Sequence, residues 1–411
     1  MSKLSTQPYK GTRDFYPEDM RLRKWMFDKW RTVSESFGYE EYDGPILEPF
    51  ELYASKTSDE IVNDQTYSFT DRGDRKVVMR PEMTPTVSRM VAARRQELAY
   101  PLRLYSIPNC FRYERPQKGR LREFWQYNAD IFGVVGTEAD IEIILLADAI
   151  IKGFGAKPEL YEIQISSRKI ISDIVKELNL DDDQQRSIVN LIDKKEKVDE
   201  KDWESMFYDQ MEKNVADRLL EFLKEETVPE NAAKTIAGLQ KRGVSNVVFN
   251  RYLARGFDYY TDVVFEVFDK NPDNNRSMFG GGRYDGLVGE FGVDPVPTVG
   301  FGMGDVTFLN FLASNQLVPD LKSETEVYVV INNDENDLLN ANELIAKLRE
   351  AGVNVAADYS QRKTDKQLAS AYKKGIPYAV IVENGKYTLR NLESKENQQL
   401  TDQEIVQTLT L

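Results

Sequence analysis

Apolar residues along the chain fall into two periodicities that alternate in blocks. Met26, Trp30, Val33 and Phe37 recur at helical spacing, which predicts a helix over 17–37. Pro17 suits its first turn, Glu18 and Asp19 favour its positive end, and Gly38 is a natural stop. An extended stretch, "YEEYDGPILEPFELY", follows, and "TYSFTDRGDRKVVMRPE" reads as a hairpin turning at Arg72-Gly73. "LRLYSIPNCFRYE" and "FWQYNADIFGV" read as strands, and "GTEADIEIILLADAIIKGFG" as a helix. A charged, helix-patterned region of about 172–243 looks like an insertion packing as its own unit. Strand patterns resume in "NVVFNRYLARGFDYYTDVVFEVFD", "FGGGRYDGL" and "VGFGMGDVTFLNFL". A sheet interrupted by helices and then resumed is α+β. Past a linker, "ASNQLVPDLKSET", strands and helices alternate, which predicts a small α/β domain with a mostly parallel sheet. The expected domains are therefore 1–320 and 321–411.

Composition narrows the chemistry. The 411 residues hold 54 Lys and Arg against 68 Asp and Glu, a net charge of −14. That balance disfavours bulk nucleic-acid binding but permits a local basic site, since fields act over roughly 8–10 Å in salt. No apolar run approaches the ~20 residues of a membrane span, and the N-terminus lacks a signal-peptide core. With one cysteine, Cys110, the expected location is cytoplasmic, without a disulfide or multi-cysteine zinc site. The chain contains no histidine, which excludes Ser-His-Asp triads and HExxH or His/Cys metal sites. Catalysis must run on carboxylates, Arg, Lys, Tyr, substrate groups or a hard metal ion. Without histidine, no side chain has an unperturbed pKa near 6.5, so a rate change near that pH should mostly report the substrate.

Four constellations carry candidate chemistry. In "FRYERPQKGRLREFWQ", five basic side chains face two acidic ones on a segment that Pro116 and Gly119 keep from being helical. A solvated basic hairpin and a polyphosphate or RNA-end site both fit, Arg offering a planar fork for phosphate. Glu82 and Thr84 in "RPEMTP" point to one side of an extended backbone and suit an ammonium group, unless Thr84 simply caps a helix. "ARGFDYYTD" gathers Arg255, Asp258, Tyr259 and Tyr260, either as a ligand site or around a structural Arg255–Asp258 pair. Glycines at 280–282, 300, 302 and 304 would bare one sheet face, where a flat ring could lie against the backbone.

In order, these segments resemble the class II aminoacyl-tRNA synthetases, and within them the histidyl-tRNA synthetase family. "KGTRDFYPEDM", Gly44-Pro45, "RPEMTP", the Arg-rich segment as motif 2, "RGFDYY" and "GGGRYDGL" carry the resemblance nearly end to end. It implies an antiparallel-sheet catalytic domain with a helical insertion and a C-terminal α/β anticodon-binding domain. It implies ATP as substrate with Mg2+, tRNA(His) and histidine as partners, a homodimer and no membrane association. Arg112 and Arg255 would meet the α-phosphate, with Glu114 and Arg120 positioning the nucleotide beside Gly302 and Gly304. Glu82, Thr84 and Gln126 would hold the ammonium. Asp130 and Tyr260 would read the imidazole next to Tyr259, and Tyr284 would close the pocket. Arg115, Gln117 and Lys118 would meet the tRNA acceptor end.

Two positions depart from the family pattern. Thr307 stands where the third motif usually ends in an ATP-contacting Arg. Asp130 stands where many members have Glu, so imidazole would sit closer or bind through water. The rival readings are a histidine-binding regulatory paralogue of a phosphoribosyltransferase complex, another class II synthetase, and a structural RNA-binding protein.

Overall fold

In the computed structural model of the chain, the described residues are 4–54, 65–115, 119–192, 194–195, 198–225, 227–253, 259–274, 276–332, 334–360 and 362–410. The chain divides into two compact units, one of residues 1–14 with 25–318 and the other of 15–24 with 319–411.

The first unit is built on a sheet whose strands run, in chain order, β1 (Glu40–Glu41), β5 (Leu102–Ser106), β6 (Asn109–Phe111), β7 (Glu123–Phe132), β8 (Tyr161–Ser167), β9 (Val247–Phe249), β10 (Val263–Asp269), β11 (Ser277–Arg283) and β12 (Thr298–Gly304). Their spatial order is β1-β5-β7-β12-β11-β10-β8-β9, with β6 on β7. Most neighbours are antiparallel; β1 on β5 and β8 on β9 are parallel. The hairpin of β3 (Tyr67–Thr70) and β4 (Lys76–Met79), with β2 (Leu47–Pro49), makes a separate small sheet. Its turn is held by Asp71, whose carboxylate accepts from the Gly73 and Arg75 N–H groups. Asp74 takes a positive φ there.

Period two decides which face of β7 does what. Tyr127, Ala129 and Ile131 enter the main core, while Gln126, Asn128 and Asp130 point to the opposite face. On the core side, α1 (Pro17–Ser36) delivers Met26 and Trp30, and α3 (Thr137–Gly153) delivers Ile143, Ile144, Ala147 and Ile151. Trp30 is fully buried and lies 5.7 Å from the Tyr127 ring and 5.9 Å from Phe308. Between β4 and β5 lies α2 (Thr84–Ala93).

The region expected as one insertion divides between two cores. Helices α4 (Lys169–Glu177), α5 (Asp182–Ile192), α6 (Glu200–Gln210) and α7 (Lys213–Leu223) share a cluster around Trp203, Phe207, Leu191 and Leu219. The next helix, α8 (Glu230–Lys241), sends Ala232 and Leu239 into the main core. The separately packed portion thus ends near Leu223, because the apolar stripe of α8 faces the sheet and α3. The unit closes with α9 (Asp305–Ser314).

The second unit contains β13 (Val327–Ile331), α10 (Glu335–Glu350), β14 (Val355–Asp358), α11 (Thr364–Lys373) and β15 (Tyr378–Glu383). The strand pairs β13–β14 and β13–β15 are parallel, as the alternating pattern predicts. A hairpin, β16 (Lys386–Asn391) and β17 (Asn397–Leu400), adds two antiparallel strands, and α12 (Asp402–Thr410) buries Ile405 in the same core. This final stretch carried no strand expectation, because β16 and β17 are half-exposed and polar.

Candidate functional site

On the face of the central sheet away from α1 and α3, a small pocket is lined by Glu82, Thr84, Gln126, Tyr259, Tyr260, Gly280, Tyr284, Gly300, Phe301 and Gly302. Glu82, at the entry to α2, is 3% exposed, and the Tyr259 hydroxyl donates to its Oε2 at 3.2 Å. Thr84 does not cap α2: the N-cap position is Met83, without a side-chain cap bond. Its hydroxyl instead faces the pocket and the phenol of Tyr259. Tyr259 in turn packs edge-on against Tyr260 at 5.0 Å and Tyr284 at 5.6 Å.

The alternating glycines of β12 work differently from the flat shelf expected. A Cβ on Gly300 would stand 1.9 Å from Asp130 Oδ1, and one on Gly302 would stand 1.8 Å from Gln126 Nε2. Glycine here makes room for two polar side chains of the neighbouring strand: Gln126 lines the pocket beside Gly300 and Gly302, while Asp130 packs against Gly300 and Tyr284, two of the lining residues. Gly281 serves packing, since its Cβ would meet the Gly300 carbonyl at 2.0 Å.

Asp130 is 3% exposed, and the Tyr284 hydroxyl donates to its Oδ1. Burial pushes its carboxyl up to about 7, against the pull of the Tyr284 bond. Tyr284 is itself held by its neighbour. Arg283 is buried and bonds Asp140 at 2.9 Å, Asp285 at 3.2 Å and the carbonyls of Val134 and Gly136 at 3.0 Å. Burial lifts Asp140 to about 6, with Arg283 opposing. The sequence pattern singles out Tyr284 but not this anchor; its signal was the charged residue inside an otherwise glycine-rich strand.

Beyond Gln126 the Arg-rich segment reaches the same face. Arg112 Nε donates to the Pro81 carbonyl at 2.9 Å, and its guanidinium lies 5.4 Å over the Phe124 ring and 4.0 Å from Glu114. Arg120, largely exposed, pairs with Glu114 at 3.4 Å. Arg122 is a structural residue. It donates to the Glu114 carbonyl and the Tyr9 hydroxyl, and it lies 4.0 Å from the Tyr113 ring. Arg115 is exposed at the edge of the segment. Gln117, Lys118 and Arg255, together with Asp258, lie outside the described residues.

The start of α9 is tied in from two directions. Gly304 is its N-cap, and the Thr307 hydroxyl donates to the Met278 and Gly304 carbonyls at 2.9 and 3.2 Å. Asp305, 3% exposed, accepts from the Trp125 N–H at 3.0 Å and from Arg13 at 2.7 Å. Sequence spacing gives no hint of Arg13, because its partner lies 292 positions away. Among the described residues, no group of three or more acidic or cysteine side chains could hold a metal ion.

The arrangement joins a carboxylate wall, a buried carboxylate tied to the lining through Tyr284, and an Arg-bearing segment next to Glu82, suited to a small amine-bearing ligand beside a phosphate. Comparison with known proteins points the same way. The histidyl-tRNA synthetase family model matches residues 11–304, and an anticodon-binding domain model matches 326–410. A histidine–tRNA ligase of Leptospira biflexa is 39% identical over 96% of this chain and 94% of that protein. One from Thermoplasma volcanium is 37% identical over 97% of each. Among solved structures, the histidyl-tRNA synthetase of Nostoc sp. PCC 7120 superposes with a TM-score of 0.80 at 22% identity, covering 99% of both chains. An ATP phosphoribosyltransferase regulatory subunit/histidyl-tRNA synthetase from Bacillus halodurans gives 0.73 at 22% identity, covering 92% of this chain and 99% of that one. With its family model spanning most of the chain and full-length relatives above one-third identity, the chain belongs to the histidyl-tRNA synthetase family.

Proposed function

We propose that the pocket on the sheet is the histidine site of a histidine–tRNA ligase, with ATP bound along its Arg-bearing edge. The chain activates histidine with ATP and transfers it to tRNA. In this reading Glu82, Thr84 and Gln126 hold the ammonium group, and the free oxygen of Asp130 reads an imidazole N–H together with Tyr260. Tyr284 fixes Asp130, and Tyr259 fixes Glu82. Arg112 and Arg255 neutralise charge on the α-phosphate while Glu114 and Arg120 orient the nucleotide against Gly302 and Gly304. Arg115, Gln117 and Lys118 meet the acceptor end of tRNA(His). Mg2+ enters as the counterion of ATP.

The chemistry suits these groups. The histidine carboxylate attacks the α-phosphorus in line, pyrophosphate leaves, and a terminal ribose hydroxyl of tRNA then attacks the adenylate carbonyl, releasing AMP. The first step needs positioning and charge neutralisation rather than a general base, so a site without histidine is complete. A competing amino acid that leaves the buried Asp130 unpaired loses on the order of 10⁴-fold. The observation carrying the reading is a pocket walled by the Glu82 carboxylate and by Tyr284, whose hydroxyl reaches the buried carboxylate of Asp130.

The regulatory-paralogue alternative is disfavoured by the anticodon-binding domain at 326–410 and by Arg112, Arg120 and Arg255 being present together. A cytoplasmic location remains part of the proposal; no helix among the described residues is long and apolar enough to cross a membrane. Arg112→Ala and Arg255→Ala should each lower histidine-dependent ATP–pyrophosphate exchange by about 10²-fold or more. Unchanged exchange in folded variants would remove the phosphate role assigned to these residues.

A further inference from the structure

Residues 259–262 stand between the pocket and the roots of the helical insertion. Tyr259 and Tyr260 line the pocket, and the Tyr260 ring lies so close to Gly282 that a Cβ there would meet it at 3.0 Å. Thr261 ties them to the neighbouring strand: its N–H donates to the Arg283 carbonyl at 2.8 Å, and its hydroxyl accepts from the Asp285 N–H at 3.3 Å. Asp262 comes next. It is 5% exposed, and its carboxylate gathers three donors from elements far apart in the chain. Ser167 Oγ, at the end of β8, donates to Oδ1 at 2.8 Å. Asn231 Nδ2, on α8, and Lys169 Nζ, at the start of α4, both reach Oδ2, at 2.6 and 2.7 Å. The Asp262 carbonyl accepts from the Arg168 N–H at 2.8 Å, so backbone and side chain grip the same segment.

These partners mark where the chain leaves the central sheet for the insertion and where it comes back. Helix α4 opens the separately packed cluster around Trp203, and α8 follows that cluster. A carboxylate this buried needs donors to satisfy it, and three donors on two oxygens do so. Lys169 is half-exposed, so its ion pair adds little; the grip comes mainly from Ser167 and Asn231. Only Thr261 separates Asp262 from Tyr260, so a shift of the carboxylate carries directly into the pocket lining. A misplacement of about 1 Å at such a site costs on the order of 10²-fold. We propose that Asp262 is a positioning residue for histidine binding, holding Tyr259 and Tyr260 against the two roots of the insertion, so that the seating of the insertion sets the shape of the pocket. The inference rests on the reading of the pocket as the histidine site.

ATP–pyrophosphate exchange by the full-length protein tests it, with Asp262→Ala, Asp262→Asn, Asn231→Ala, the Asp262→Ala/Asn231→Ala double variant and Tyr260→Ala. Asp262→Ala should raise KM for histidine about 10- to 100-fold and leave KM for ATP within about twofold. Asn231 lies outside the pocket lining, yet Asn231→Ala should raise KM for histidine about 3- to 10-fold, the loss of one hydrogen bond. Asp262→Asn keeps an acceptor for Ser167 and should fall between wild type and Asp262→Ala. Because Asn231 acts through Asp262, the double variant should be no worse than Asp262→Ala. Unchanged KM for histidine in Asp262→Ala and Asn231→Ala, equal increases for histidine and ATP, or penalties that multiply in the double variant would overturn the positioning role. If Tyr260→Ala raises KM for histidine while Asp262→Ala does not, only this inference falls; if Tyr260→Ala also leaves it unchanged, the histidine site itself is misassigned. Should Asp262→Ala fail to fold, Asn231→Ala decides: KM for histidine raised with KM for ATP held supports the role, and no change rejects it.

Discussion

Burial lifts the Asp130 carboxyl into the neutral range, with a consequence that a histidine-free sequence does not announce. The expectation that a rate change near pH 6.5 mostly reports the substrate is narrowed by this: an Asp130 carboxyl pushed up to about 7 falls in the same range. The sign for stability follows from linkage. With a folded pKa of about 7 against 3.8 for the free side chain, the folded state binds more protons between those values, so this group's contribution falls as pH rises through that window. Asparagine copies the protonated form without titrating. The melting temperature of Asp130→Asn relative to wild type should thus climb from pH 4 to pH 8, and thermal melts across that range check it. A flat or falling difference would show that the carboxyl is not held neutral by burial. Gly300→Ala tests the packing of Asp130, since its Cβ must displace Asp130 from a 1.9 Å overlap. KM for histidine should rise at least tenfold while KM for ATP holds. The family resemblance named Glu82, Thr84, Gln126, Tyr259, Tyr260 and Tyr284, and these side chains line one pocket. What Gly300 and Gly302 accommodate was not legible in the sequence, because that depends on the register between β12 and β7.

At the scale of elements, helices with a clean apolar stripe were legible to within a residue or two, as α1 shows: Pro17–Ser36 against an expected 17–37. Boundaries between cores were not. The stripes on α7 and α8 look alike in sequence, yet one buries Leu219 in the insertion and the other buries Leu239 under the sheet. Removing Trp203, whose Nε1 donates to the Leu191 carbonyl, should cost its own cluster roughly 3–5 kcal/mol. Trp203→Ala should accordingly lose hydrogen-exchange protection across α4–α7 while α8 and the central sheet stay protected. Protection lost equally in both would mean the two cores unfold as one. The Arg-rich segment makes a similar point. Arg122 resembles its neighbours in sequence, but the N-terminal segment recruits it: the Gly11 carbonyl accepts from the Arg122 and Glu123 N–H groups, and Tyr9 takes its guanidinium.

For the molecule as a whole, the acidic net charge and the basic edge of the pocket are compatible because the Arg side chains are concentrated in one segment. Homodimerisation, proposed from the family resemblance of α1 and the Gly44-Pro45 segment, is supported by Ile46 and Leu47, which are 46% and 50% exposed beside it. Light scattering should give twice the 47.3 kDa of the chain, and Ile46→Asp with Leu47→Asp should shift it toward the monomer. A mass unchanged by both substitutions would move the interface elsewhere. Since the 411 residues contain no histidine, a translation extract depleted of histidine should also yield the full-length product. The central claim is that this chain selects histidine and places it on tRNA. Charging of a tRNA(His) transcript with each of the twenty labelled amino acids tests it most directly. Histidine alone should be esterified to the 3′ end, and Asp130→Ala should lower that charging. Charging with a different amino acid, or none at saturating histidine and ATP, would contradict it.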